Sequence, residues 1–121
     1  MGLFFRTVGN LISTKSEFIA IYNGGCKTLM DVGFNFLQFN SSIKKMMKES
    51  VRNYYLNDFN EERLNEYDAA ILMLYCIYSI VLDAGEEYTL SDIKIATKRL
   101  LERSDGNLKA DISMMAYEMS F

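Results

Sequence analysis

The sequence predicts an all-α fold, and three observations carry that prediction. There is no proline in 121 residues, so the residue that most strongly breaks helices is missing. Apolar residues recur at spacings of three and four rather than two. Small polar residues and glycines stand where helices would start and stop. With half its residues hydrophobic, the chain has material for one domain that hides about two-thirds of its unfolded surface. The expected architecture is a compact single domain, 1–121, with five or six helices around a central buried helix at about 60–84.

Taken in order, Leu3 to Ser13 places Phe4, Val8, Leu11 and Ile12 on one side of a first helix. A short second helix, Glu17 to Tyr22, is expected to close at Asn23-Gly24-Gly25, because glycine accepts the left-handed backbone of a helix end. Cys26 to Phe39 reads as a third helix, although its spaced Phe34, Phe36 and Phe39 also fit a strand. The fourth is expected to be capped by Ser41 or Ser42 and to run to about Leu56. Ile43, Met46, Met47, Val51 and Tyr54 share one arc of it, with Lys44, Lys45, Lys48 and Arg52 alongside.

Asp58-Phe59-Asn60-Glu61 has capping-box spacing and is expected to start the central helix, which Gly85 can close. From Ala69 to Leu82 the only polar side chains are one serine and the tyrosine hydroxyls. Asp68, Leu72, Tyr75, Ser79 and Asp83 form its narrow wet strip, so neighbouring helices must cover the rest. Thr89 and Asp92 have the spacing to cap the next helix, with Leu90, Ile93, Thr97, Leu100 and Leu101 on one face and Ile95 off it. Ser104-Asp105-Gly106-Asn107 ends it. In the last helix, from Leu108 onward, Leu108, Ile112, Met115 and Met119 suffice for docking. A second stripe, Ala110, Met114, Tyr117 and Phe121, is left over on the opposite side.

Net charge is −3, but it is unevenly spread. Residues 58–92 hold nine carboxylates against Arg63 alone, a net of −8, whereas residues 1–57 carry a net of +4. Carboxylates in a first helical turn meet the positive end of the helix dipole, but Asp83, Glu86 and Glu87 fall at a C-terminal end, where negative charge is unfavourable. Such acids either pair with the Lys44, Lys48 and Arg52 face or meet a basic partner.

The N-terminus MGLFFRTVGN is too short in apolar residues for a secretory signal and has Arg6 where a myristoylation motif needs Ser or Thr. The 14-residue run Ala69–Leu82 is shorter than the roughly 20 residues of a membrane span. Cys26 and Cys76 read as reduced structural thiols. A cytoplasmic protein with no membrane association is expected.

The absence of histidine removes the usual general base, metal ligand and triad member. Asn23 to Thr28 fails the phosphate-loop spacing. Glu61, Glu62 and Glu66 resemble the turn-spaced acids with which all-helical nucleotide pyrophosphohydrolases hold Mg²⁺, and that resemblance is the catalytic alternative. It lacks the acid the motif needs at Asn65 and a second acidic motif near Asp83 to Asp92. The sequence pI of about 4.9 opposes nucleic-acid binding, despite the basic helix.

What remains is a non-enzymatic protein-binding module without cofactor or metal. Its profile fits a small acidic immunity or antitoxin protein that masks a basic, nuclease-type toxin. The expected binding residues are the acids Asp58, Glu61, Glu62, Glu66, Asp83, Glu86 and Glu87, with the stripe Met114, Tyr117 and Phe121. The alternatives are a homo-oligomer built on that stripe, the partner then being a second copy, and a phage or virus accessory protein.

Overall fold

The computed structural model describes residues 2–36, 39–59, 64–85 and 88–120, with side chains other than those of 2–15 and 88–89. Among the described residues there are five helices and no strand: α1 (Gly2–Asp31), α2 (Ser41–Asp58), α3 (Glu66–Ala84), α4 (Tyr88–Ser104) and α5 (Ala110–Ser120). The chain is all-α, as its periodicity predicts.

The first three expected helices are one. Gly24 and Gly25 lie inside α1, and Gly25 is there because α3 crosses against it. A Cβ at Gly25 would stand 2.6 Å from the Met73 sulfur and 3.2 Å from backbone and Cβ atoms of Ala69. The glycine that ends α1 is Gly33, at φ +86°. The amide of Phe34 donates to the Leu29 carbonyl (2.9 Å) and that of Gly33 to the Met30 carbonyl (3.0 Å), which satisfies the last carbonyls of the helix in a Schellman closure. Arg99 adds a 2.7 Å bond to the Val32 carbonyl, placing a cation at the negative end of the α1 dipole. Phe34, Phe36 and Phe39 belong neither to a helix reaching 39 nor to a strand. The buried Phe34 ring packs edge-on to Phe36 and tilted against the buried Phe39, and this aromatic knot turns the chain toward α2.

Helix α2 begins where expected, but its cap is Asn40, whose side chain accepts from the Ile43 amide at 2.9 Å. Its buried row is Met47, Val51 and Tyr55, rotated from the predicted arc, so that Met46 is exposed and Tyr54 only half-buried. Asp58 lies in the last turn of α2 and caps nothing; of its expected capping box, Asn60 and Glu61 lie outside the described residues. The cap of α3 is Asn65, in a reciprocal capping box with Asp68. Gly85, at φ +73°, closes α3 as predicted. Helix α4 starts at Tyr88, so Thr89 stands within its first turn and not ahead of it. Asp105 and Gly106, at φ 48° and 80°, turn the chain after α4.

Helix α3 packs against each of the other four helices. Ala69 through Leu74 are buried without interruption, so the first half of the helix is covered on every side, and each large apolar side chain there contributes about 1.5–3 kcal/mol by leaving water. By length and composition this 19-residue helix could cross a bilayer, which the shorter apolar run considered alone does not suggest. The predicted wet strip is wet only in its second half. Asp68 and Leu72 are buried, Tyr75 is half-buried, and Ser79 and Asp83 are exposed.

Asp68 is buried because it joins two elements. One carboxylate oxygen accepts from the Asn65 amide (3.0 Å) and the other from the Lys109 amide just before α5 (2.9 Å). The Asn65 side-chain amide donates to the Asn107 carbonyl at 2.6 Å. The entrance of α3 and the turn before α5 are thus tied by one charge-assisted bond, from the Lys109 amide to Asp68, and one neutral bond, from Asn65 to Asn107. Near the other end of α5, the hydroxyl of Tyr75 donates to Glu118, so α3 and α5 run side by side in the same direction.

Candidate functional site

The expected acids do not form one patch among the described residues. Glu61, Glu62, Glu86 and Glu87 lie outside those residues, as does Phe121. Glu66 and Asp83 are both exposed but sit at opposite ends of α3, a separation of about 26 Å at 1.5 Å per residue. Glu66 accepts from the Thr28 hydroxyl at 3.4 Å. Asp83 is exposed in the last turn of α3, and among the described residues no ion pair joins it to Lys44, Lys48 or Arg52. Among the same residues, no cluster of three carboxylate or thiol side chains is arranged to hold a metal ion.

The stripe on α5 stands differently. Ile112, Ala116 and Met119 are buried against the core, which turns Met114 and Tyr117 outward with 69% and 57% of their surfaces exposed. Glu118 is one turn on from Met114, at the edge of the stripe and about 100° round the helix from Tyr117. Its carboxylate accepts from the Tyr75 hydroxyl on α3 at 3.0 Å. The stripe therefore continues onto α3.

There it meets a group of tyrosines. Tyr75 packs edge-on to Tyr54 of α2, with ring centroids 6.4 Å apart, and stacks with Tyr78 one turn along α3 at 6.3 Å. All three are half-buried. Burial, with the carboxylate of Glu118 bonded to the hydroxyl, raises the Tyr75 pKa. Burial does the same for Tyr54, helped by neighbouring thiol and carboxylate groups that include Asp58 and Glu118. Both phenols stay protonated in neutral solution and keep a hydroxyl able to donate.

Three helices thus supply one surface: Tyr54 with Asp58 from α2, Tyr75 and Tyr78 from α3, and Met114, Tyr117 and Glu118 from α5. Rings with polar tips and a flexible thioether are side-chain types enriched where proteins meet one another, and carboxylates are usual at the rim of such surfaces. Of the predicted residues it unites Asp58, Met114 and Tyr117 and leaves Glu66 and Asp83 at the two ends of α3. Tyr54, Tyr75, Tyr78 and Glu118 are additions. Tyr75 was signalled by sharing a strip with Ser79 and Asp83, whereas Tyr54 was masked by its place on the predicted inner arc of α2. Compared with known protein families, with curated proteins and with solved structures, the chain matches none.

Proposed function

We propose that this chain is a non-catalytic, single-domain protein-binding module of the immunity or antitoxin type, in which helices arranged round α3 hold a tyrosine and methionine surface against a basic partner. The observation that carries the reading is the exposure of Met114 and Tyr117 on a stripe continuous, through Glu118 and Tyr75, with the tyrosines of α2 and α3. The net charge of −3, concentrated in residues 58–92, suits a cationic nuclease-type partner, whose encounter it would steer. Free thiols at Cys26 and Cys76 suit the reducing cytoplasm.

The test is titration calorimetry and stopped-flow binding against the basic product of a neighbouring reading frame. It should give a one-to-one complex whose association slows with salt. Met114→Ala with Tyr117→Ala should weaken it at least about tenfold, the effect of losing interface anchors, while leaving the thermal midpoint unchanged. A complex indifferent to both substitutions removes the stripe from the interface. Co-expression that leaves the partner's toxicity intact removes the inhibitor reading. The apolar character of the stripe favours one second reading, a two-fold homodimer. Sedimentation would then show a dimer that Tyr117→Asp dissociates.

A further inference from the structure

A second surface has the opposite electrostatics. On α2, Lys45, Lys48, Glu49 and Arg52 are spaced at i, i+3, i+4 and i+7, so they share one face. They line a groove of about 280 Å³ whose floor is Phe18 and Ile19 of α1. Three cations and one carboxylate leave the lining at +2 on a chain whose net charge is −3. Among the described residues none of the three cations is held in an ion pair. The floor is preorganised, because the buried Phe18 ring packs against Tyr22 and Tyr55, while Ile19 is 45% exposed. Lys48 is also placed, its ammonium 5.2 Å from the centre of the Tyr22 ring.

We propose that this α1–α2 groove is a docking site for an acidic peptide segment that inserts one apolar side chain onto Phe18 and Ile19 and sets its carboxylates against Lys45, Lys48 and Arg52. Charge complementarity selects an anion, and the apolar floor selects one with a hydrophobic anchor. A phosphate backbone has no apolar group to fill that floor. A bilayer surface is flat where this site is concave. A free amphiphile would need most of its surface enclosed, and this groove is only partly enclosed. A helical acidic segment meets each condition through anchors on one of its faces. The site is distinct from the tyrosine surface, since Tyr54 projects about half a turn round α2 from Lys45.

The probe is a fluorescein-labelled peptide in which glutamates flank leucines at i, i+3 and i+7, followed by anisotropy and by amide chemical shifts. Saturable binding is expected, weakening with salt, with shifts centred on residues 18–19 and 45–52. Lys48→Glu with Arg52→Glu, and separately Ile19→Ser, should each weaken it at least about tenfold, or 1.4 kcal/mol, with unchanged circular dichroism. Tyr117→Ala should leave it unaltered, so failure here is separable from failure of the α5 surface. The proposal is overturned if the peptide does not bind, if a glutamate peptide without leucines binds equally well, or if phosphatidylserine vesicles or duplex RNA bind through the same residues in its place.

Discussion

At the scale of single residues, two neighbouring glycines in α1 are expected to respond to alanine with opposite signs. A Cβ at Gly25 would overlap the Met73 sulfur and press tightly on the Ala69 backbone and Cβ. Met73 is itself fully buried and would have to shift within the core, so Gly25→Ala should cost about 1–3 kcal/mol through overpacking. Nothing stands within 4 Å of a Cβ at Gly24, and Gly24→Ala should stabilise by about 0.5–1 kcal/mol through helix propensity and a less flexible unfolded chain. Urea denaturation of the two variants checks both signs. Asp68→Ala is the other sharp case. It strips an acceptor from the Asn65 amide and from the Lys109 amide around a side chain only 2% exposed, and the same measurement should show a loss of about 2–4 kcal/mol.

Among the elements, α3 dominates, and its sensitivity should follow its coverage. Leu74 is completely buried on α3, the helix that packs against each of the other four, so Leu74→Ala should lower stability by about 2–5 kcal/mol, by lost transfer energy and a residual cavity. Leu82, on the same helix but about half exposed, should lose less than about 1 kcal/mol on the same change. Comparing the two denaturation midpoints tests whether coverage or mere hydrophobicity sets the effect. Much of this element was legible in the sequence, because a helix apolar on nearly every side can only be surrounded. Its start was not. Asp58-Phe59-Asn60-Glu61 and Asn65-Glu66-Tyr67-Asp68 both offer capping-box spacing, and α2 continues through Asp58, which removes the first from use.

For the whole molecule, the clearest expectation is alkaline lability. Burial pushes the Tyr22 phenol up to about 12, with Cys26 beside it adding to the shift. Burial, with Glu17 accepting from its hydroxyl at 3.0 Å, does the same for Tyr55, and burial alone raises the Cys76 thiol to about 12. Unfolded, these groups would release their protons near 10 for tyrosine and 9 for cysteine. Between those values and 12 the unfolded state binds fewer protons than the folded one, so stability falls as pH rises. Their contribution is fully present below about pH 9, and denaturation midpoints should decline from there to pH 12. Tyr55→Phe, which cannot ionise, should flatten the part of that decline above pH 10.

What the amino-acid order determined by itself was the helical class, the buried middle of α3, the closures at Gly85 and Ser104 to Asn107, and the unused stripe through Met114 and Tyr117. All of these rest on spacings within a turn or two, where side-chain direction follows from the residue number alone. Tertiary packing decided that Gly25 serves a helix crossing while Gly33 ends α1. It also decided that Asp68 is buried, that the described acids are dispersed, and that Tyr54, Tyr75 and Glu118 meet. The reason is physical: whether a glycine is a stop or a contact, and whether residues 43 apart such as Tyr75 and Glu118 touch, depends on how the helices cross, a property of the assembled core that no local period encodes.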